Sequence, residues 1–260
     1  MTEPLVQIED RGRVRILTLN RPDALNSFNE ALYEASINAI DDAASAAGIA
    51  VLVITGNGRG FSSGADLVEM AGRNTGAVSG PSNFPAFADR LTTFPKPLIC
   101  AVNGMAIGIG ATMLAFADLV FMSTAARVRC PFTRLGLMPE AASSFTFPWI
   151  MGRQNAAWAL MSSEWLSAEE CVQMGLAFKA TEPDQLMAVT MQHAEILANK
   201  PISSLIESKQ AIVAPYLEQF AAARARENAG FGRLMGTPAN VEALTAFAEK
   251  REPDFGSVND

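Results

Sequence analysis

Residues 51–70 read VLVITGNGRGFSSGADLVEM, and residues 97–110 read PLICAVNGMAIGIG. In each, a short uncharged apolar run is followed by a glycine-bearing turn and then by sequence of helical character. Runs of this length and composition predict strands covered on both faces, and the glycines let the chain turn tightly where a strand ends. A third run, DLVFM at 118–122, has the same character. Strand, loop and helix in repetition predict an α/β core with crossover connections, and in such cores ligands sit at strand ends.

Working outward, residues 5–19 alternate through Val6, Ile8, Val14 and Ile16 around Asp10-Arg11-Gly12, which predicts a hairpin. Ser27 with Glu30 forms a capping box that predicts a helix to Ala47, closed by Gly48; Ser167 with Glu170 forms a second, closed by Gly175. Residues 176–180 fit a last strand. Everything beyond Pro183 reads as helical, over 184–198, 201–214, 216–229 and 238–250, broken at Lys200-Pro201, Pro215 and the Gly230-to-Pro238 loop. Leu205, Ile206, Ile212, Val213, Leu217 and Phe220 exceed what a tail can bury alone, which predicts packing on a neighbouring subunit. The expected division is a core over 1–198 that carries the site, and a helical region over 199–260 for oligomerisation. Ala71 to Pro85, rich in Gly, Ser, Asn and Pro, reads as a mobile loop and a candidate lid.

Composition narrows the function classes. A chain of 260 residues, 49% hydrophobic, can bury one large core, and a net charge of -7 without a basic stripe argues against nucleic acid as a partner. No apolar run is long enough to span a membrane, and the first residues lack a secretory pattern, so the expected compartment is the cytoplasm. Cys100, Cys130 and Cys171 fit neither a disulfide framework nor a metal site and read as small buried hydrophobes. With His193 as the sole histidine, proton chemistry falls to carboxylates, Lys, Tyr or Cys.

Three stretches offer chemistry. The turn from Gly60 to Leu67 combines glycines with the free N–H groups of a helix start and suits an oxyanion; read alone, it fits better an ordinary connection with Asp66 as a cap. The turn from Asn103 to Gly110 is denser in glycine than packing requires, but it lacks the third glycine and the distant acid of a dinucleotide site. Glu140 is the one charged residue between Arg134 and Arg153, and a carboxyl in so apolar a setting acquires a raised pKa that suits a base near neutral pH; the competing reading is a loop glutamate facing water.

In this order and spacing, the three stretches resemble the crotonase, or enoyl-CoA hydratase/isomerase, family. The resemblance extends over Arg21-Pro22-Asp23-Ala24-Leu25-Asn26, Ser63-Gly64-Ala65-Asp66, residues 96–104, residues 166–170, Met174-Gly175-Leu176 and residues 247–251. It implies a crotonase-like repeated ββα spiral core with a C-terminal helical region. It also implies an acyl-CoA thioester substrate whose oxygen is gripped by the backbone N–H groups of Ala65 and Ile109. Coenzyme A would lie along Ala24, Leu25, Ser63, Asp66 and Leu67, with Lys250 or Arg251 near its ribose phosphate. No metal and no cofactor beyond the substrate's own coenzyme A are implied, and the assembly would be a homotrimer or a dimer of trimers.

The family's hydratases are similar to one another in two glutamates, whose positions here hold Thr112 and Phe132. A closer resemblance is to the Δ3,Δ2-enoyl-CoA isomerases, with Pro131-Phe132, Leu135-Gly136 and Pro139-Glu140 followed by Ala141-Ala142-Ser143-Ser144, the two alanines standing where that branch often has glycine. One carboxylate suffices to take a proton from the α-carbon and return it to the γ-carbon. Phe132, Phe145, Phe147 and Trp149 are candidates to dry the pocket. The alternatives are a hydratase of weak or altered activity and a non-catalytic acyl-CoA-binding protein.

Overall fold

The computed structural model describes residues 3–74 and 79–258. In chain order the elements are β1 (Val6–Arg11), β2 (Val14–Leu19), α1 (Glu30–Ser45), β3 (Val51–Gly56), β4 (Gly60–Ser62), α2 (Leu67–Asn74), α3 (Phe84–Thr93), β5 (Leu98–Val102) and β6 (Met105–Ile107). They continue with α4 (Ile109–Thr112), β7 (Leu119–Ser123), β8 (Arg127–Arg129), α5 (Ser143–Met151), α6 (Arg153–Met161), β9 (Trp165–Ser167), α7 (Ala168–Met174) and β10 (Lys179–Thr181). The helices α8 (Leu186–Ala198), α9 (Ile202–Val213), α10 (Leu217–Leu234) and α11 (Pro238–Ala248) complete the chain.

The three apolar runs are central strands of a six-stranded sheet ordered β1-β2-β3-β5-β7-β10, parallel except for the β1–β2 hairpin. Alternate residues explain why the runs are continuously apolar. Leu52, Ile54, Leu98 and Cys100 point into the larger core, while Val51, Val53, Ile99 and Ala101 point into a second core closed by α8. After each of β3, β5 and β7 the chain adds a short strand to a second sheet, ordered β4-β6-β8-β9. This repeated pair of strands followed by helix is the ββα spiral. Because β4 and β6 are neighbours, the turns that leave them lie side by side.

Several expectations are corrected. Ser27 does not cap α1: Asn29 does, its side chain accepting from Leu32 N at 2.9 Å. Leu25 and Asn26 are left-handed and Phe28 is held extended by a bridge to Ala65, so the helix cannot begin earlier. The box at Ser167 and Glu170 is formed as read. The Ala71-to-Pro85 stretch is helical at both ends, through Asn74 and from Phe84, and residues 75–78 lie outside the described residues. Helix α10 runs through Gly230 to Leu234, where a break was expected. A Cβ at Gly230 would stand 2.0 Å from the Met138 sulfur, so this glycine serves a close approach between helix and loop.

The C-terminal helices dock on the rest of the chain. Lys209 of α9 is buried against Asp118, with Nζ 2.8 Å from the carboxylate and 2.9 Å from Lys96 O. Phe220 belongs to the larger core, so it is not available to a neighbour, whereas Ile212 and Leu217 remain exposed. No helix among the described residues is long and apolar enough to cross a membrane. The three cysteines are buried and unpaired, and burial pushes the Cys100 and Cys171 thiols up to about 12. His193 packs on Phe121 and Phe178, with Nδ1 2.8 Å from Val189 O.

Candidate active site

The first turn is pinned by the bridge to Phe28, whose N–H donates to Gly64 O at 2.7 Å and whose carbonyl accepts from Asp66 N at 2.9 Å. A trans peptide aims its N–H opposite to its carbonyl, so Ala65 N–H points away from Phe28. In the second turn, Ile109 opens α4 and its N–H lies in the unsatisfied first turn of that helix. No protein acceptor for either N–H is found among the described residues. The two turns abut: Gly64 has φ +90°, and a Cβ there would stand 2.8 Å from Ile107 O. Ala65 and Ile109 line one cavity of about 460 Å³.

Glu140 lines the same cavity and also a second one of about 340 Å³, with Ala65 again shared. The loop that carries it is shaped by Ala141 and Ala142, both left-handed at φ 55° and 59°. Glycine adopts that conformation without steric cost and alanine does not, so the surrounding contacts must hold both residues in it. Ala142 has no side chain to cap α5, and the cap comes from far along the chain. Glu227 of α10, 2% exposed, accepts from Ala142 N at 2.7 Å and Ser144 N at 2.8 Å. Burial first, and the Glu227 charge second, push the Glu140 carboxyl up to about 8. Glu140 is half-buried at the junction of the two cavities.

The sequence reading missed Glu227, although a signal was present. Phe220, Ala223, Glu227 and Gly230 are the buried residues of α10, and a glutamate on such a stripe needs a buried partner.

Leu25, Ser63, Asp66 and Leu67 line the 460 Å³ cavity. Ala24 does not, but its carbonyl accepts from Ser63 Oγ at 3.3 Å. Asp66 also caps α2, accepting from Val68 N and Glu69 N at 3.2 and 3.3 Å, and pairs with Arg21 at 3.2 Å. Lys250 is exposed and absent from the lining, where Phe247, Arg129 and Arg134 stand instead. Phe132, 5% exposed, lines the cavity, and Thr112 is fully buried. Phe145, Phe147 and Trp149 line neither cavity: Phe147 is in the core, and Phe145 and Trp149 pack against Tyr216 and Phe220.

Strand pairs wound between two sheets, with abutting glycine turns at their ends, define an architecture that known proteins share. Residues 9–258 match the family described as enoyl-CoA hydratase/isomerase. The chain is 36% identical to 2,3-dehydroadipyl-CoA hydratase of Escherichia coli K12, covering 95% of this chain and 97% of that protein. It is 33% identical to enoyl-CoA delta isomerase 2 of Rattus norvegicus, covering 80% of this chain and 54% of that one. A solved structure of an enoyl-CoA hydratase from Mycobacterium marinum is 55% identical, with TM-score 0.77, covering 81% of this chain and 100% of that one. The chain belongs to the enoyl-CoA hydratase/isomerase family, whose members act on acyl-CoA thioesters.

Proposed function

We propose that the protein moves the double bond of a 3-enoyl-CoA to the 2-position, with Glu140 as the proton shuttle. The observation that carries this reading is the setting of Glu140: a carboxyl with a pKa near 8 in a cavity that also holds Ala65 and Ile109, while Phe132 stands on the wall where a second acid would be needed to deliver water.

In this scheme the Glu140 carboxylate takes a proton from C2. The electron pair moves into the thioester, and the negative oxygen of the dienolate is held by Ala65 N–H and Ile109 N–H. Such donors contribute about 3 kcal/mol each to the transition state. The Glu140 carboxyl then returns the proton to C4, the double bond comes to rest between C2 and C3, and the carboxylate is regenerated. A dry wall favours this return over capture of water. Coenzyme A would occupy the 460 Å³ cavity along Leu25, Ser63, Asp66 and Leu67 with Ala24 behind them, near Arg129 and Arg134, and Lys250 would reach its phosphate at the rim. No cofactor is required by this chemistry. The compartment we infer is the cytoplasm, and the assembly a trimer or a pair of trimers.

Glu140→Gln assayed with a 3-enoyl-CoA is expected to lose at least about 10³-fold in kcat. Turnover near the wild-type rate would sink the assignment. A hydratase is the second reading, favoured by the Mycobacterium marinum hydratase at 55% identity. Loss of 2-enoyl-CoA absorbance separates the two, and hydration faster than isomerisation would decide for it.

A further inference from the structure

Tyr33 sits in the 340 Å³ cavity and takes no part in the proton shuttle. It is 4% exposed, and its ring is locked among Phe28, Phe87 and Phe84 at centroid distances of 4.8, 5.4 and 6.2 Å. No protein acceptor for its hydroxyl is found among the described residues, and the hydroxyl is not one of the fully enclosed polar atoms without a partner, so it opens on the cavity. Burial, together with the carboxylates of Glu140, Glu30 and Glu69, pushes the phenol well above its ordinary range. It is therefore a fixed, protonated donor that lacks a protein acceptor. A donor of this kind on a cavity wall is satisfied by water until a ligand atom takes the water's place, and a ligand that cannot accept from it loses that hydrogen bond.

The charges around it restrict that atom. Glu30, Asp66, Glu69, Glu140 and Glu227 line the cavity, and no Lys or Arg stands among its described lining residues. The 460 Å³ cavity is the opposite, with Arg129 and Arg134 on its wall. A ligand carboxylate entering beside Tyr33 would meet carboxylates and no cation among the described lining residues, whereas an uncharged oxygen would accept from the phenol without that penalty.

We propose that the Tyr33 cavity is the acyl site and selects acyl-CoA thioesters whose chain carries an uncharged oxygen, a ketone or hydroxyl, beyond the reacting carbons. Plain hydrocarbon chains bind less well, because they leave the phenol unpaired, and chains ending in a carboxylate bind worst. The inference rests on the acyl-CoA part of the function proposed above and not on the direction of the reaction.

Saturated thioesters test it by calorimetry, because they bind without turnover: hexanoyl-CoA, 5-oxohexanoyl-CoA, 6-hydroxyhexanoyl-CoA and adipoyl-CoA, against wild type and Tyr33→Phe. The phenylalanine keeps the ring among its three neighbours. At least one oxygenated ligand is expected to bind the wild type roughly tenfold tighter than hexanoyl-CoA, and to lose that margin in Tyr33→Phe. Adipoyl-CoA is expected to bind at least about tenfold more weakly than hexanoyl-CoA in both proteins. Hexanoyl-CoA binding as tightly as both oxygenated ligands, a margin that survives in Tyr33→Phe, or adipoyl-CoA matching hexanoyl-CoA would each overturn the proposal. Failure of every thioester to bind would overturn the acyl-CoA reading as well. The expected binding order without isomerisation of a 3-enoyl-CoA would instead remove the isomerase reading and leave this one standing.

Discussion

Glu140 shows how one side chain acquires a chemistry that its type does not dictate. Its pKa of about 8 has two physical causes, burial and the Glu227 charge, and each can be changed separately. As a base it must be ionised, so kcat/KM is expected to rise with pH and level off above about 8. In Glu227→Gln the repulsion is gone while the burial remains, and the midpoint is expected at lower pH but still above 4.5; a pH–rate series reads both. The same shift affects stability. A carboxyl whose folded pKa lies above its unfolded value of 4.5 contributes stability that is complete below 4.5 and is lost as pH rises towards 8. Glu140→Gln has nothing to lose in that window. Its melting temperature is expected to match wild type near pH 4.5 and to exceed it by about 3 °C or more at pH 8, each ~1 kcal/mol being worth about 2–4 °C in a chain of this size.

At the scale of elements, the site depends on close approach. Abutting turns set Ala65 and Ile109 into one wall, and α10 reaches the Glu140 loop through Gly230. Since a Cβ on Gly230 would collide with the Met138 sulfur, Gly230→Ala is expected to cost about 1–3 kcal/mol in a denaturant melt and to lower kcat by disturbing the loop. Met138 is a flexible side chain, so Met138→Ala in the same chain should recover most of the loss. No recovery would mean that the helix and loop do not meet there. The hairpin, the three central strands, the second capping box and most helix positions were legible in the sequence, because they rest on local periodicity and caps. The start of α1 was not: Ser27 and Glu30 have the pattern of a box, but the Phe28–Ala65 bridge holds the chain extended past Ser27. The run of α10 through Gly230 was misread for a similar reason, since a glycine that permits a contact looks in sequence like one that ends a helix.

For the whole molecule, the C-terminal helices have two faces. One docks on the core through Phe220 and the Lys209–Asp118 pair, and supplies Glu227 and Phe231 to the cavities. The other leaves Ile212 and Leu217 exposed, 61% and 39%, on a chain that also exposes Trp158 and Phe178. Multi-angle light scattering is expected to give three or six times the 27.7 kDa chain mass, and a monomer at micromolar concentration would refute the assembly proposed here. By itself the sequence determined the α/β class, the family, the two glycine turns and Glu140 as the one charged residue of its apolar stretch, because strand runs, glycine spacing and residue type are properties of short stretches. Only the tertiary structure decided that burial and then the Glu227 charge raise the Glu140 pKa, that the Tyr33 hydroxyl faces the cavity without a protein acceptor, that Lys250 stands off the cavity wall, and that Phe145, Phe147 and Trp149 serve packing. Those outcomes follow from which distant segments meet, and burial and charge act across that space and not along the chain.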